Sequence, residues 1–254
     1  MGEAPEMQSA KHISSLIQDV AHLDGKALSI LDVGCAAGHY LRSIIQRLPD
    51  TDIEYFGVDI DPNMVGTAQE VWKGFDRAKF FCGSGDELQD LEVPACDVVF
   101  SANAFMYFPN VRTALASFFG KTKQIMMARS YFCEQTYMIQ RAQPSEWHPL
   151  SRVSEAEIID EDGMLRSYDH WNIYSRGLME HLVRENCPEA RISWHDDRFN
   201  DDFVAEEEVA NIGEKREGTV LLGNHQMVFP IILPWKTLVV ERKKMHGFPV
   251  ERNR

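Results

Sequence analysis

The chain has 254 residues, 44% of them hydrophobic, and a formal net charge of −13, from 26 Lys and Arg against 39 Asp and Glu. That length supports one α/β domain with a substantial core, and no apolar run approaches the roughly 20 residues of a membrane helix. The negative field repels a phosphate backbone, so neither a nucleic-acid substrate nor a membrane span is expected. The start, MGEAPEMQSAKH, has no basic segment followed by an apolar one, so no secretory signal is expected. Cys35, Cys82, Cys96, Cys133 and Cys187 are odd in number and show no metal-finger spacing. Most of them read as small core residues in a reduced, cytoplasmic protein.

Residues 7–23 carry Ile13, Leu16, Ile17, Val20 and Leu23 at helical spacing, which predicts an amphipathic helix. Leu28–Val33 reads as a first strand. It runs into a small-residue turn with Gly34, Ala36 and Gly38, then a helix over 38–48 with Leu41, Ile44, Ile45 and Leu48 on one face. Small residues there let a ligand approach the backbone. A second strand spans 54–60, and Asp61-Pro62 then supplies a cap and a first-turn proline. Strands are expected at 79–82, 97–101 and 124–129, with a helix at 111–119 between the last two. Alternation of strand and helix predicts an open parallel sheet with helices on both faces.

The rhythm breaks over 131–170 and resumes at 171–199, with a helix at 174–185 and a strand at 191–195. It breaks again over 200–235, before a last strand within 236–243 and a tail at 244–254. Inserts of this length in a compact domain are commonly functional. The whole reads as a single domain in which the two inserts cap the acceptor side of the sheet.

Chemistry gathers at the strand ends. Asp59 ends the second strand, 27 positions after Asp32. Open parallel sheets bind ligands outside the carboxyl ends of their strands, where such a carboxylate accepts from ribose hydroxyls. Gly83-Ser84-Gly85-Asp86 follows the third strand and Ser101-Ala102-Asn103 closes the fourth. Over residues 28–130, three segments in this order, LDVGCAAG, GVDIDPNMV and CDVVFSANAFMYFPN, resemble the motifs of class I S-adenosylmethionine-dependent methyltransferases. The resemblance implies a Rossmann-like, seven-stranded, mostly parallel sheet and S-adenosyl-L-methionine as cofactor.

By that resemblance Asp32, Gly34, Ala36 and Gly38 surround the methionine part of the cofactor. Asp59 takes the ribose hydroxyls and Ile60 packs on the adenine. Either Ser84-Gly85 or Gly85-Asp86 faces the adenine edge. Asn103 and Phe105 line the loop near the reacting methyl. Ala36 stands where the family usually has glycine, a mild departure because alanine takes up little space. A dinucleotide reading needs G-x-G-x-x-G, and position 39 is His.

For the acceptor, His148 in the first insert and His170 at its end are candidate general bases, with Asp169 or another carboxylate available to orient a histidine. Either histidine also suits a surface or packing role. Tyr107, Trp147, Trp171 and His225 are candidate acceptor contacts, and Trp235 shares the aromatic character of that set. No metal is expected: Asp160, Glu161, Asp162 and Asp169 fit no named metal loop. These features point to methyl transfer onto a small-molecule or glycan-type acceptor, at oxygen because histidines fall in the inserts. Nitrogen transfer, to a small molecule or to a cationic peptide drawn to the acidic runs Glu155–Asp162 and Asp196–Glu208, is the alternative. A non-catalytic binding or scaffold protein of the same fold is the alternative of another class. Oligomeric state is not legible.

Overall fold

The computed structural model describes residues 6–20, 27–142, 158–197, 220–222, 225–228, 231–233 and 235–242. Helix α1 (Gln8–Val20) turns Ala10, Ile13, Leu16 and Ile17 inward, all buried. Strand β1 (Leu28–Val33) is buried at every position, as a central strand covered on both faces must be. It leads into α2 (His39–Arg47), β2 (Ile53–Asp59) and α3 (Pro62–Val71). Asp61 caps α3 by accepting from the Asn63 amide at 2.8 Å, and Pro62 sits at a position that needs no amide partner. Next come β3 (Ala78–Cys82), β4 (Cys96–Ala102) and α4 (Val111–Lys121), whose cap Asn110 accepts from the amides of Arg112 and Thr113 at 3.0 and 3.2 Å.

Strand β5 (Thr122–Cys133) is followed by the short strands β6 (Gln140–Ala142), β7 (Tyr168–His170) and β8 (Tyr174–Ser175). Helix α5 (Arg176–Asn186), capped by Ser175, leads to β9 (Arg191–Asp196). Strands β10 (Val220–Leu222), β11 (His225–Val228) and β12 (Ile231–Leu233) precede β13 (Trp235–Glu241).

The main sheet has the order β3-β2-β1-β4-β5-β13-β9, with β8 beside the end of β5. Only β13 on this path runs antiparallel to its neighbours. Sequence order reverses between β1 and β4, so the crevice for a ligand opens at their carboxyl ends. At the opposite end, Asp97 accepts from Ser29 Oγ at 2.6 Å and from Gln124 Nε2 at 3.1 Å, clasping β1, β4 and β5 together. One apolar layer lies under α1, α2 and α3; the other lies under α4 and α5. No helix among the described residues is long and apolar enough to cross a membrane.

Two differences from the sequence reading concern the inserts. Strand β5 runs on to Cys133, past the apparent start of the first insert, because its end is buried on both faces and shows no alternation. The inserts also hold structure of their own. β6 and β7 pair as an antiparallel ribbon, and β10, β11 and β12 form a small antiparallel sheet within the span expected to be irregular. Strands of three or four residues are too short to display a period.

Phe105 is corrected from ligand-lining to core. It is fully buried in the α4/α5 layer, its ring edge-on to Phe108, Phe118 and Tyr174 at 5.8–5.9 Å. Phe105→Ala is expected to cost about 3–5 kcal/mol of stability, as emptied aromatic core sites do, measured by denaturant unfolding.

Candidate functional site

Asp32 ends β1 almost completely buried. Tyr55 donates its hydroxyl to Asp32 Oδ2, while Oδ1 is buried without a hydrogen-bond partner. Burial pushes the carboxyl up to about 7; the Tyr55 bond opposes that rise and the nearby Asp59 adds to it. The chain then turns sharply. Gly34 has φ +82, and a Cβ there would lie 2.3 Å from Ala104 Cβ, so the turn after β1 abuts the turn after β4. Gly38 has φ +74, and its missing Cβ leaves room for Trp72 and Phe80.

Ala36 also lies in the left-handed region, at φ +46. The departure from glycine is therefore a matter of backbone strain more than of space, costing roughly 1–2 kcal/mol. Asp59 holds this strained residue: its Oδ2 accepts from the Ala36 amide at 2.8 Å and its Oδ1 from the Asp61 amide at 3.0 Å. The carboxylate at the end of β2 is thus a brace for the turn, with lone pairs remaining for a ligand. Beside it Ile60 is 73% exposed, an apolar shelf at the strand end.

After β3 the Ser84 hydroxyl donates to Asp86 Oδ1 at the start of a 3-10 turn. Gly85 is buried, and a Cβ on it would meet Val33 and Phe108 at 2.4–2.9 Å. Gly85 is therefore a packing residue, and the polar groups at this strand end are Ser84 and Asp86.

At the end of β4 Asn103 has φ +65. Its Nδ2 donates to the Tyr40 hydroxyl at 3.1 Å, and its Oδ1 accepts from Arg129 on β5. Arg129 is buried and also donates to Asp197 just past β9, through Nε at 2.7 Å and through Nη2. Its guanidinium carbon lies 4.0 Å from the centre of the Trp235 ring. His12 of α1 places Nε2 3.1 Å from Asp197 Oδ1. Burial holds the His12 imidazole below its usual value, against the pull of Asp197. None of Arg129, Asp197, His12 or Tyr40 was singled out from the sequence. The single available signal was a lone cation inside the apolar run QIMMAR.

On the acceptor side, Tyr107 is partly exposed on the turn after β4. Burial pushes its phenol up; Arg141 opposes that rise and Asp169 adds to it. The β6/β7 ribbon is anchored to this turn: the Asn172 amide donates to Met106 O at 2.9 Å, and Asn172 Nδ2 donates to Phe108 O at 2.9 Å. Trp171 is buried, edge-on to Tyr131 at 5.5 Å, in an apolar group with Met106, Ile173 and Trp235. It packs beneath this region and presents little surface to an acceptor. His170 lies half-buried in β7. Asp169 has both oxygens on Arg141, at 3.1 Å from Nε to Oδ1 and through Nη2 to Oδ2. Trp147 and His148 lie outside the described residues, and of His225 only its place in β11 is described. Asp160 Oδ1 accepts from the amides of Asp162 and Met164, which closes a turn. Among the described residues no three His, Cys, Asp or Glu side chains converge as metal ligands would.

The residues at the strand ends fit the cofactor implied by the motifs. An orphaned buried carboxylate oxygen suits a cationic amino-acid end, the tight turn leaves backbone accessible, and Ile60 with Asp59 offers an apolar shelf beside acceptors. Ala36→Gly is expected to relieve the left-handed strain and raise stability by up to about 1 kcal/mol, read from chemical denaturation.

Residues 30–124 match a protein family described as a methyltransferase domain. The chain is 36% identical over 63 residues to malonyl-[acyl-carrier protein] O-methyltransferase 1 of Ilyobacter polytropus, 25% of this chain and 23% of that protein. It spans less than a third of the length of the curated relatives it matches. In fold it is similar to the [4+2]-cyclase SpnF, with a TM-score of 0.57 and 16% identity over 95% of this chain and 84% of that one. It is also similar to the magnesium protoporphyrin IX methyltransferase of Synechocystis PCC 6803 with bound SAH, with a TM-score of 0.51 and 13% identity over 93% of this chain and 83% of that one. The matched segment, residues 30–124, is thus similar to a methyltransferase domain, and it holds most of β1, all of β2 to β4 and the turns that follow them.

Proposed function

We propose that this protein is a methyltransferase that binds S-adenosylmethionine at the carboxyl ends of β1–β4 and methylates a small-molecule or glycan-type acceptor at oxygen. The observation that carries the donor site is the unpartnered Asp32 Oδ1, buried beside the glycine turn. A buried acceptor without a donor is costly, and a ligand ammonium would supply the missing partner.

In this reading the exposed face of Ile60 supports the adenine, and the remaining lone pairs of Asp59 accept from the ribose. Asp86 accepts from the adenine amino group through the carboxylate lone pairs left after Ser84 donates to its Oδ1. The bound cofactor supplies an activated methyl on its sulfonium. The chain contributes position, holding the two reactants in near-attack geometry, an effect able to supply ~7–11 kcal/mol. The turn after β4 and the β6/β7 ribbon fix one wall of the acceptor side. His170 on that ribbon is the described candidate base for an acceptor hydroxyl, and His148 the candidate outside the described residues. Fold likeness to a cyclase is a reminder that the reaction rests on the site and not on the sheet.

Calorimetric titration tests the donor site: the protein is expected to bind S-adenosylmethionine and S-adenosylhomocysteine, and an absence of heat at millimolar ligand would sink the reading. Labelled methyl donor added to cell extract is then expected to mark a low-mass product. Label in protein would favour the cationic-peptide alternative, and binding without transfer the non-catalytic one. Asp59→Ala is expected to weaken cofactor affinity roughly 10–100-fold, the worth of a hydrogen bond to a charged group, with a smaller effect on folding. Unchanged affinity would contradict the site.

A pH dependence follows from Asp32. Between its ordinary value of 3.8 and about 7 the folded chain keeps a proton that the unfolded chain has released. This group's contribution to stability is therefore full at low pH and lost as pH rises through 7. A cationic ligand prefers the ionised carboxylate, so cofactor affinity is expected to rise from about pH 6 to about pH 7.5, and Asp32→Asn to flatten that rise. Titrations across this range check both.

A further inference from the structure

Arg129 is a buried cation on β5 whose every guanidinium nitrogen donates to a partner. One edge meets Asp197, another meets the Asn103 carboxamide, and the face lies on Trp235. A buried ion pair adds little stability over apolar packing of the same volume, so stability alone does not account for this arrangement. What it does hold is Asn103, a non-glycine residue at φ +65. Asn103 is gripped three ways: Oδ1 by Arg129, Nδ2 by the Tyr40 hydroxyl, and its amide by the Arg129 carbonyl at 3.2 Å. Tyr40 stands in the first turn of α2, two residues after Gly38, so it belongs to the glycine turn's own helix. The next residue along from Asn103, Ala104, is the one against which Gly34 closes.

We infer that Arg129 is a positioning residue for the donor site: by gripping the Asn103 carboxamide it sets the turn after β4 against the glycine turn. The inference rests on the donor-site reading above. The grip on Asn103 reaches α1 through Tyr40, whose hydroxyl donates to Ser9 Oγ at 3.1 Å, while His12 Nε2 stands near Asp197 Oδ1 with neither atom hydrogen-bonded. Lysine cannot replace arginine here, because a point charge cannot bridge two partners in one plane while stacking on a ring.

The test is calorimetric titration of S-adenosylhomocysteine, paired with the melting temperature of the ligand-free protein. Arg129→Lys is expected to weaken binding about tenfold. Asn103→Gly, which keeps the positive φ available, is expected to weaken it similarly, and the double variant no further than either alone, as members of one chain of contacts behave. Arg129→Lys with wild-type affinity and a lowered melting temperature overturns the inference and leaves Arg129 structural. Should Arg129→Lys not fold, Tyr40→Phe decides. It removes the hydroxyl on the same carboxamide and keeps the ring against Phe100. A loss of about threefold or more is expected, and unchanged binding overturns the inference. A wild-type protein that binds neither cofactor form removes the donor-site reading and the inference with it. Wild-type binding with unchanged variants removes the inference alone.

Discussion

The contact between the turn after β1 and the turn after β4 governs the rest of the site. Gly34 leaves no room for a side chain against Ala104, and that closeness exists because the sheet reverses its strand order between these two strands. A helix springs from the first turn and a 3-10 turn from the second, so any ligand at the crevice meets backbone from both. Everything nearby serves to keep the two turns at this separation.

Two carboxylates do that work in different ways. Asp59 keeps polar contact with backbone amides and holds Ala36 in a conformation that alanine disfavours. Asp32 is driven into the core, where one oxygen has Tyr55 and the other has nothing. A folded domain carries such an orphan at a cost in stability, and strained or unsatisfied groups concentrate where a ligand completes them. On the far side Arg129 solves the opposite problem, a buried cation with more partners than its charge requires. Strain and polar burial thus gather on one edge of the sheet, while the clasp at Asp97 and the two apolar layers hold the other end.

The acceptor side is built on different principles. A two-stranded ribbon is pinned by Asn172 to the turn after β4, and a small aromatic group of Tyr131, Trp171 and Trp235 fills the space beneath. Those rings are packed against one another and support the ribbon from below. In the proposed reading, acceptor specificity would come from what projects from the ribbon and from the partly exposed Tyr107.

The core strands and helices were legible because their signals are local: apolar runs, capping residues at Asp61 and Asn110, and the interval from Asp32 to Asp59 lie within short stretches of chain. Candidate donor residues were legible for the same reason, since each follows a strand directly. The rest depended on distance through the fold. Phe105 looked like a loop residue by position but is core by packing. Whether Ser84-Gly85 or Gly85-Asp86 meets the adenine edge was open in the sequence, and that Gly85 packs against Val33 and Phe108 was not legible there. The strain at Ala36 and Asn103 is a backbone angle that residue type does not announce. The network of Arg129 joins Tyr40, Asn103 and Asp197, of which only Asn103 stood out in the sequence, because β13 carries β9 to within one strand of β5. The amino-acid sequence by itself thus determined the elements, their order and the donor motifs; only the tertiary structure decided which polar groups were buried together, since burial is a property of neighbours brought from far along the chain.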